Sequence, residues 1–337
     1  MLRPSDPTWM RPLPGTGLSV SAVTLGGAPL GSMPENFGYE VAEDQAVALV
    51  RACLDSPVRT IDTANGYSAG RSEQRIGAGI AAHGGLPGDV VVVTKVDPRG
   101  GDYSGRRVRA SVEESRRRLG LDRLPLVHLH DPEFHPWEVI TAAGGAVEAL
   151  ADLRESGAVG SIGLAGGHAP TMARYLRLGV FDALLVHNRW TLVDRSAGEL
   201  IEQAAAQGVG VVNAAVYGGG MLARQQDEQD QRDQHGAVRD GGARPTYGYR
   251  PAHPATVRAV ARMREVCARY GTDLATAALQ HSLRDRRIAT TVVGISKPRR
   301  LEQVVRAAGA DLPEAFWQEL EELVPAREAW LDHQDAA

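Results

Sequence analysis

Four side chains in the first 130 residues are of the types that move a proton to or from an oxygen: Asp62, Tyr67, Lys95 and His130. A phenol has an unperturbed pKa of about 10 and exchanges protons poorly near neutrality. A neighbouring ammonium favours the phenolate, so a lysine beside Tyr67 would improve that exchange. A carboxylate and an imidazole complete a set suited to acid–base work. Singly, each has an ordinary explanation. An Asp after a strand is commonly a turn or cap residue, and a Tyr in Asn65-Gly66-Tyr67-Ser68 commonly packs a loop. A Lys closing a valine run can snorkel, and a His ending a strand is commonly structural. What joins the four is their place, because each falls at or just after the end of a short apolar run.

Those runs recur along the whole chain. Val23–Ala28, Thr60–Ala64, Val90–Val96, Leu124–His130, Val159–Ala165, Ala183–His187, Gly210–Ala215 and Thr290–Gly294 read as eight strands. The valine run of 90–96 suits a strand buried on both faces, as in a parallel sheet. Helical periods separate the runs, at 43–55, 72–82, 106–119, 144–156, 169–178, 198–207, 254–270, 274–283 and 299–308. Eight strands alternating with helices predict an α/β fold, and the count favours a (β/α)₈ TIM barrel over an open sheet. In such a barrel the C-terminal strand ends converge on one pocket, which is where the four residues fall. Residues 11–21 read as an N-terminal β-hairpin turning at Pro14-Gly15-Thr16-Gly17, and Ala315–Leu323 as an extra C-terminal helix. His128 shares a strand face with His130 but lies deeper, and is assigned to packing.

The chain is expected to form one domain over residues 1–337, with a long βα loop at about 218–253. That loop contains the polar run Arg224–Gly236, read as a solvated loop with the position of a lid. With 43% hydrophobic residues a large core can be buried, and the net charge of −4 gives no reason to expect nucleic acid. Two cysteines without a CxxC partner suggest a reduced compartment. The first 14 residues lack an apolar signal segment and no run is long enough for a membrane helix. A cytoplasmic protein with neither membrane nor metal site is expected.

The segment Ile61-Asp62-Thr63-Ala64-Asn65-Gly66-Tyr67, with Arg71-Ser72-Glu73 and Ile76-Gly77, resembles the signature of the aldo-keto reductases. Val93-Thr94-Lys95, Leu129-His130-Asp131-Pro132 and Ser161-Ile162-Gly163 resemble further motifs of that family, and the likeness runs from about Leu18 to Leu323. The resemblance implies a barrel that binds NADP or NAD without a Rossmann motif, and this chain has no GxGxxG after a strand. It also implies roles. Tyr67 gives or takes the proton, Lys95 lowers its pKa, Asp62 holds Lys95, and His130 bonds the reacting oxygen while hydride passes to or from nicotinamide.

For the cofactor, the resemblance points to Gly26, Gly27, His187, Ala215, Gly218, Gly220, Ser296, Lys297 and Arg300. Lys297, Arg299 and Arg300 stand where a helix begins, and pairing with a 2′-phosphate would favour NADP. The alternative for that loop is a basic surface turn, with NAD as cofactor. Several usual nicotinamide contacts are altered. Ala165-Gly166 stands in place of Ser-Asn, His187 in place of Gln, and Ala214 near the place of a stacking aromatic. Trp190 and Tyr217 are candidates to fill in.

The stretches 130–134, 186–192 and 212–220 resemble the family's aldose 1-dehydrogenase branch, which oxidises a cyclic hemiacetal carbon to a lactone. Sugars of the L-fucose, L-galactose and D-arabinose type are the implied substrates. Asp131, Trp190, Asn213 and Tyr217, with Asn188 and His135, are the candidates to meet them, since a sugar pocket must pair its polar groups. The readings kept beside this one are a broad carbonyl or aldehyde reductase, a pyridoxal 4-dehydrogenase, and a regulatory nicotinamide-binding protein without turnover.

Overall fold

The computed structural model describes residues 2–223 and 245–334. The polar run at 224–236 lies outside them.

Two hairpin strands, β1 (Met10–Leu13) and β2 (Leu18–Ser21), come first and pair antiparallel. Seven strands follow: β3 (Val23–Gly26), β4 (Thr60–Asp62), β5 (Val91–Val96), β6 (Leu124–His130), β7 (Val159–Gly166), β8 (Ala183–His187) and β9 (Gly210–Ala214). After a two-strand ladder of β10 (Thr246–Tyr247) and β11 (Arg250–Pro251), β12 (Ile288–Gly294) closes the barrel between β9 and β3. All eight barrel pairings are parallel. The expected α/β barrel with its N-terminal hairpin is therefore present.

The helices follow the predicted amphipathic periods. They are α1 (Glu43–Leu54), α2 (Arg71–His83), α3 (Gly105–Leu119), α4 (Ala146–Glu155), α5 (Ala169–Leu176), α6 (Gly198–Ala206), α7 (Pro254–Arg269), α8 (Leu274–Arg284) and α9 (Pro298–Ala308). The N-terminus of α3 is capped by Ser104 Oγ, which accepts from Arg107 N, and that of α8 by Asp273, which accepts from Thr276 N. Two helices extend the C-terminus, α10 (Glu314–Glu321) and the short α11 (Leu331–Gln334). The predicted period covers the first of these and not the second.

Small aliphatic side chains fill the barrel interior. Val93, Leu126, Ala165, Leu185, Val212 and Val292 form one cluster there, and Leu13 and Val20 of the hairpin join it. The hairpin thus plugs the N-terminal end of the barrel. A Cβ on Gly210 would come within 2.6 Å of Leu13 Cδ1, so the glycine leaves room for the plug. The larger cluster lies between the sheet and the helices, and a third packs α7, α8 and α10 together. The two cysteines, Cys53 and Cys267, are free and buried. Among the described residues, no helix is long and apolar enough to cross a membrane.

With one end plugged, the C-terminal end is left open for chemistry. Leu13 carries the plug, so Leu13→Ala should lower unfolding free energy by about 2–5 kcal/mol in urea titration. A loss below about 1 kcal/mol would show that the hairpin is not part of the barrel core.

Candidate active site

The four acid–base residues meet at the open end. Lys95 is the next-to-last residue of β5, with its side chain only 2% exposed. Its Nζ donates to Asp62 Oδ1 at 2.6 Å, to the Thr63 carbonyl at 2.7 Å and to Tyr67 Oη at 3.3 Å. An ammonium has three protons and no lone pair, so all three donors are used. Tyr67 Oη is therefore an acceptor towards Lys95, and its own proton is left for an oxygen in the cavity. Strand register sets the depth. Lys95 is level with His128, and His130 with Ala165, so Lys95 starts one layer lower and reaches upward. The His130 ring stands edge-on to Tyr67, with centroids 5.6 Å apart.

A polar frame holds Tyr67 in its loop. Asn65 N donates to the Lys95 carbonyl at 3.1 Å. Asn65 Nδ2 reaches Ser111 O, Glu114 Oε2 and Ser115 Oγ on α3. Ser72 Oγ donates to the Gly27 carbonyl at 2.7 Å, and buried Glu73 accepts from Thr94 Oγ1 and Arg118 Nη1. The Arg71-Ser72-Glu73 motif is thus a brace between α2 and the strands below Tyr67.

Charges at the site perturb one another. Burial by itself would lower the Lys95 ammonium, but the Asp62 carboxylate and the Tyr67 phenol outweigh it, so the net shift is upward. Burial raises the Tyr67 phenol, Lys95 opposes, and Asp62 and Asp131 add to the rise. The net shift of the phenol is upward, against the expectation that Lys95 would lower it. The ring still lines an open cavity and is only half-buried, so water softens the effect of burial. His128 is fully enclosed, and burial followed by the charges of Lys95 and His130 pushes it down to about 3. It stays neutral and packs beside Gly163, in agreement with its assignment.

Two residues absent from the sequence reading complete the centre. Asp97, two places beyond Lys95, bonds His130 Nδ1 at 2.7 Å through Oδ1 and accepts the Gly66 N–H at 2.6 Å through Oδ2. Buried Tyr103 accepts the His130 backbone N–H at 2.9 Å and donates to the Val96 carbonyl at 2.8 Å, tying β5 to β6. The only signal available for Asp97 was its position just past a strand bearing Lys95.

A cleft of about 2350 Å³ extends from this centre across the barrel end to the start of α9. Gly26, Asp131, His187, Ala215, Tyr217, Gly220, Ser296, Lys297 and Arg300 all line it. Gly27 and Gly218 do not. Gly27 packs under the Asp62 carbonyl, and a Cβ on Gly218 would strike the Tyr247 ring. Two proposed substrate residues also lie outside the lining. Asn213 is fully buried, donating to the Trp190 carbonyl at 2.8 Å and to Ser282 Oγ at 2.9 Å. Trp190 packs against His281 between Arg195 and Arg287, away from the cleft. Both brace the wall rather than face a ligand, and His135 packs on Tyr103.

On the near wall, Asp131 Oδ1 is 3.5 Å from His187 Nε2 and its Oδ2 is 3.8 Å from His130 Nε2. Burial opposes the Asp131 charge, but His130 and His187 hold the carboxyl well below its usual range. Asn188 Nδ2 contacts His187 Nδ1 at 3.2 Å, which leaves the ring proton on Nε2, facing Asp131. Asp131, Asn188 and Ala215 follow β6, β8 and β9 with left-handed φ of 45°, 60° and 53°. Such strained non-glycine backbone clusters at functional sites. Tyr247, Gly248 and Tyr249 come from the long loop. Tyr247 is buried and donates to the Asn188 carbonyl, while Tyr249 is 54% exposed on the cleft. From the C-terminus, Asp332 pairs with Arg189 at 2.9 Å and accepts the Ala169 N–H at 2.8 Å.

The residues fit a nicotinamide dinucleotide. Small Ala165 and Ala214 leave space beside the acid–base centre. Lys297, Arg299 and Arg300 place positive charge on the cleft at the N-terminus of α9, where phosphates are favoured.

A plugged parallel barrel with Asp62, Tyr67, Lys95 and His130 gathered at its open end has the architecture of the (β/α)₈ enzymes. The model of the Aldo/keto reductase family matches residues 22–325, and this chain belongs to that family of NAD(P)-dependent oxidoreductases. It is 30% identical to a D-threo-aldose 1-dehydrogenase from Pseudomonas sp, covering 92% of this chain and 96% of that one. It is 31% identical to an L-galactose dehydrogenase from Arabidopsis thaliana, covering 88% and 87%. Among solved structures, the holo form of aldo-keto reductase AKR11C1 from Bacillus halodurans superposes with a TM-score of 0.73 at 21% identity, covering 96% and 99%, and shares the fold.

Removing one partner of the buried pair should show how strongly it is held. Lys95→Met leaves the Asp62 carboxylate buried and unpaired and should cost about 3–5 kcal/mol in denaturant titration. The double variant Asp62→Leu/Lys95→Met should recover most of that loss. A double variant whose loss equals the sum of the losses in Asp62→Leu and Lys95→Met alone would show that the two charges are not coupled.

Proposed function

We propose that this chain is an NAD(P)-dependent aldose 1-dehydrogenase that oxidises a sugar of the L-fucose, L-galactose or D-arabinose type to its lactone, with Tyr67 as the acid–base residue. The observation that carries the reading is the Lys95 ammonium, whose three donors leave the Tyr67 proton as the one available to a reacting oxygen. Two of the relatives reported above support the substrate class, because both are sugar dehydrogenases by name. The near wall also suits a polyol, since the polar side chains Asp131, His187 and Asn188 all line the cleft.

In the oxidative direction the C1–H bond releases a hydride and the anomeric hydroxyl releases its proton to Tyr67, so the carbon gains a carbonyl. A nicotinamide dinucleotide, when bound, would supply the hydride acceptor. Lys95 stabilises the Tyr67 phenolate from below, Asp62 keeps Lys95 charged, and His130 Nε2 bonds the reacting oxygen. Ser296, Lys297 and Arg300 would hold the phosphate end, and NADP is the proposed cofactor with NAD also accepted. A broad carbonyl reductase is the second reading. It draws on the exposed Phe134 and Tyr249, which give the cleft an aromatic rim.

Purified protein with NADP or NAD should oxidise at least one of L-fucose, L-galactose and D-arabinose, followed by nicotinamide absorbance. Brisk reduction of aldehydes or oxidation of pyridoxal, with no sugar turnover, would overturn the sugar reading. Tyr67→Phe should lower turnover by about 10²–10⁴ with the Kd for cofactor unchanged. The phenol is raised, so oxidation, which needs its anion, should climb with pH beyond neutrality, while reduction stays flat there. Arg300→Ala should raise the KM for NADP about tenfold and leave that for NAD within twofold; equal effects on both would remove the 2′-phosphate assignment.

A further inference from the structure

We infer that Asp97 is a positioning residue that sets His130 and Tyr67 as one unit, by holding the His130 imidazole and the backbone next to Tyr67 with its two carboxylate oxygens. The inference rests on the proton-transfer role proposed for Tyr67.

The contacts leave Asp97 little freedom. Oδ1 takes His130 Nδ1 and Oδ2 takes the Gly66 N–H, so both oxygens are occupied. Its own N–H donates to Ser111 Oγ at 3.3 Å, which anchors the residue to α3. Gly66 fits the arrangement, since a Cβ there would come within 2.8 to 3.0 Å of all three carboxylate atoms. A side chain at position 66 would push Asp97 off the loop that it fastens. The carboxylate is 14% exposed, so its bonds are partly shielded from competing water.

The consequence for His130 is chemical. A carboxylate only accepts, so Nδ1 must carry a proton. The other nitrogen, Nε2, is thereby presented to the cleft. A neutral ring offers Nε2 as an acceptor and a charged ring offers it as a donor, but in neither state can the ring take the opposite tautomer. Six groups face or neighbour this ring. Asp97 lies on Nδ1 and Asp131 on Nε2, Lys95 and Tyr67 stand beside it, His128 lies below, and His187 acts through Asp131. Burial and Lys95 disfavour the charged ring, and the two carboxylates outweigh them, so its pKa stands above the ordinary value. The same carboxylate controls the chain entering Tyr67, one residue after Gly66. Motion of the imidazole and motion of the phenol are therefore coupled through one side chain.

Asp97→Asn separates this role from a merely structural one. The amide oxygen can keep the Gly66 bond, but its NH₂ group then faces His130 Nδ1 and demands the other tautomer. We expect kcat for the sugar or aldehyde that is turned over to fall about 10–100-fold, equivalent to one or two steps of 1.36 kcal/mol, with KM within threefold. We expect the His130 ring resonance, identified by its loss in His130→Gln, to titrate about one to two units lower. In the unmodified protein, ring ¹⁵N shifts should show Nδ1 protonated at every pH where the fold persists. Asp97→Glu should restore part of the turnover. A His130 midpoint unchanged by Asp97→Asn, or an unprotonated Nδ1 in the unmodified protein, would overturn the inference. The NMR arms need no substrate, so failure of the whole substrate panel would reject the proposed reaction and leave them able to judge Asp97.

Discussion

A charged ammonium is buried at the floor of this cleft, and the arrangement above it depends on how that charge is satisfied. Moving an ion of this size out of water costs several kcal/mol even after relaxation, unless close partners replace the lost hydration. Lys95 has such partners in Asp62 and the Thr63 carbonyl, both from the end of β4. They are in reach because β4 and β5 run parallel with Asp62 beside Val93, two residues before Lys95. A register slip of one residue would turn Lys95 to the other face of the sheet. The barrel is thus what makes the ion pair possible, and the ion pair fixes where a phenol can sit with its oxygen against a cation.

The loop that brings the phenol there is expensive in backbone terms and heavily supported. Ser68 and Ala69 adopt left-handed φ of 51° and 56° directly after Tyr67. Residues other than glycine take that conformation at a cost. The support comes from four directions: α2 through Ser72 and Glu73, α3 through the Asn65 contacts, β5 through the Lys95 carbonyl, and Asp97 through Gly66. Elsewhere on the rim the same pattern holds. The strained Asn188 is fastened from above by Tyr247 of the long loop, and the neighbouring Arg189 by Asp332 of the C-terminal helix. Segments far apart in the chain therefore share the task of shaping one wall.

That division explains what could be read from the sequence. The eight strands were legible because burial on both faces leaves unbroken apolar runs, and most bounds shift by only one or two residues in the structure. The four acid–base residues were legible because strand ends converge in a barrel and their surroundings resemble a known family. Asp97, Tyr103, Asp332 and the ladder of β10 and β11 were not. Each acts on a partner at least 27 residues away, or spans only two residues, and a local pattern carries neither kind of information. Asn213 shows the opposite limit. A polar residue near a strand's C-terminal end looks the same whether it faces a ligand or a buried serine, and here it bonds Ser282. The altered nicotinamide positions, by contrast, were visible as departures, and His187 in the structure is engaged with Asp131.

The cleft divides its charge along its length. At the reacting end, Asp62 and Asp97 are tied to Lys95 and His130, while Asp131 lies between His130 and His187. Each cation there is matched by a nearby acid, so the field that reaches a neutral polyol is small and directional, carried by hydrogen bonds. At the far end, Lys297, Arg299 and Arg300 reach the cleft together with the N-terminus of α9, and Gln303 is the neighbour that Arg300 bonds. That end attracts anions over a longer range. A molecule with phosphates at one end and an uncharged reactive ring at the other would match this gradient. The same gradient disfavours an anionic substrate beside Asp131, whose carboxyl stays ionised well below its usual range. Neutral molecules, sugars and aldehydes among them, meet no such penalty there.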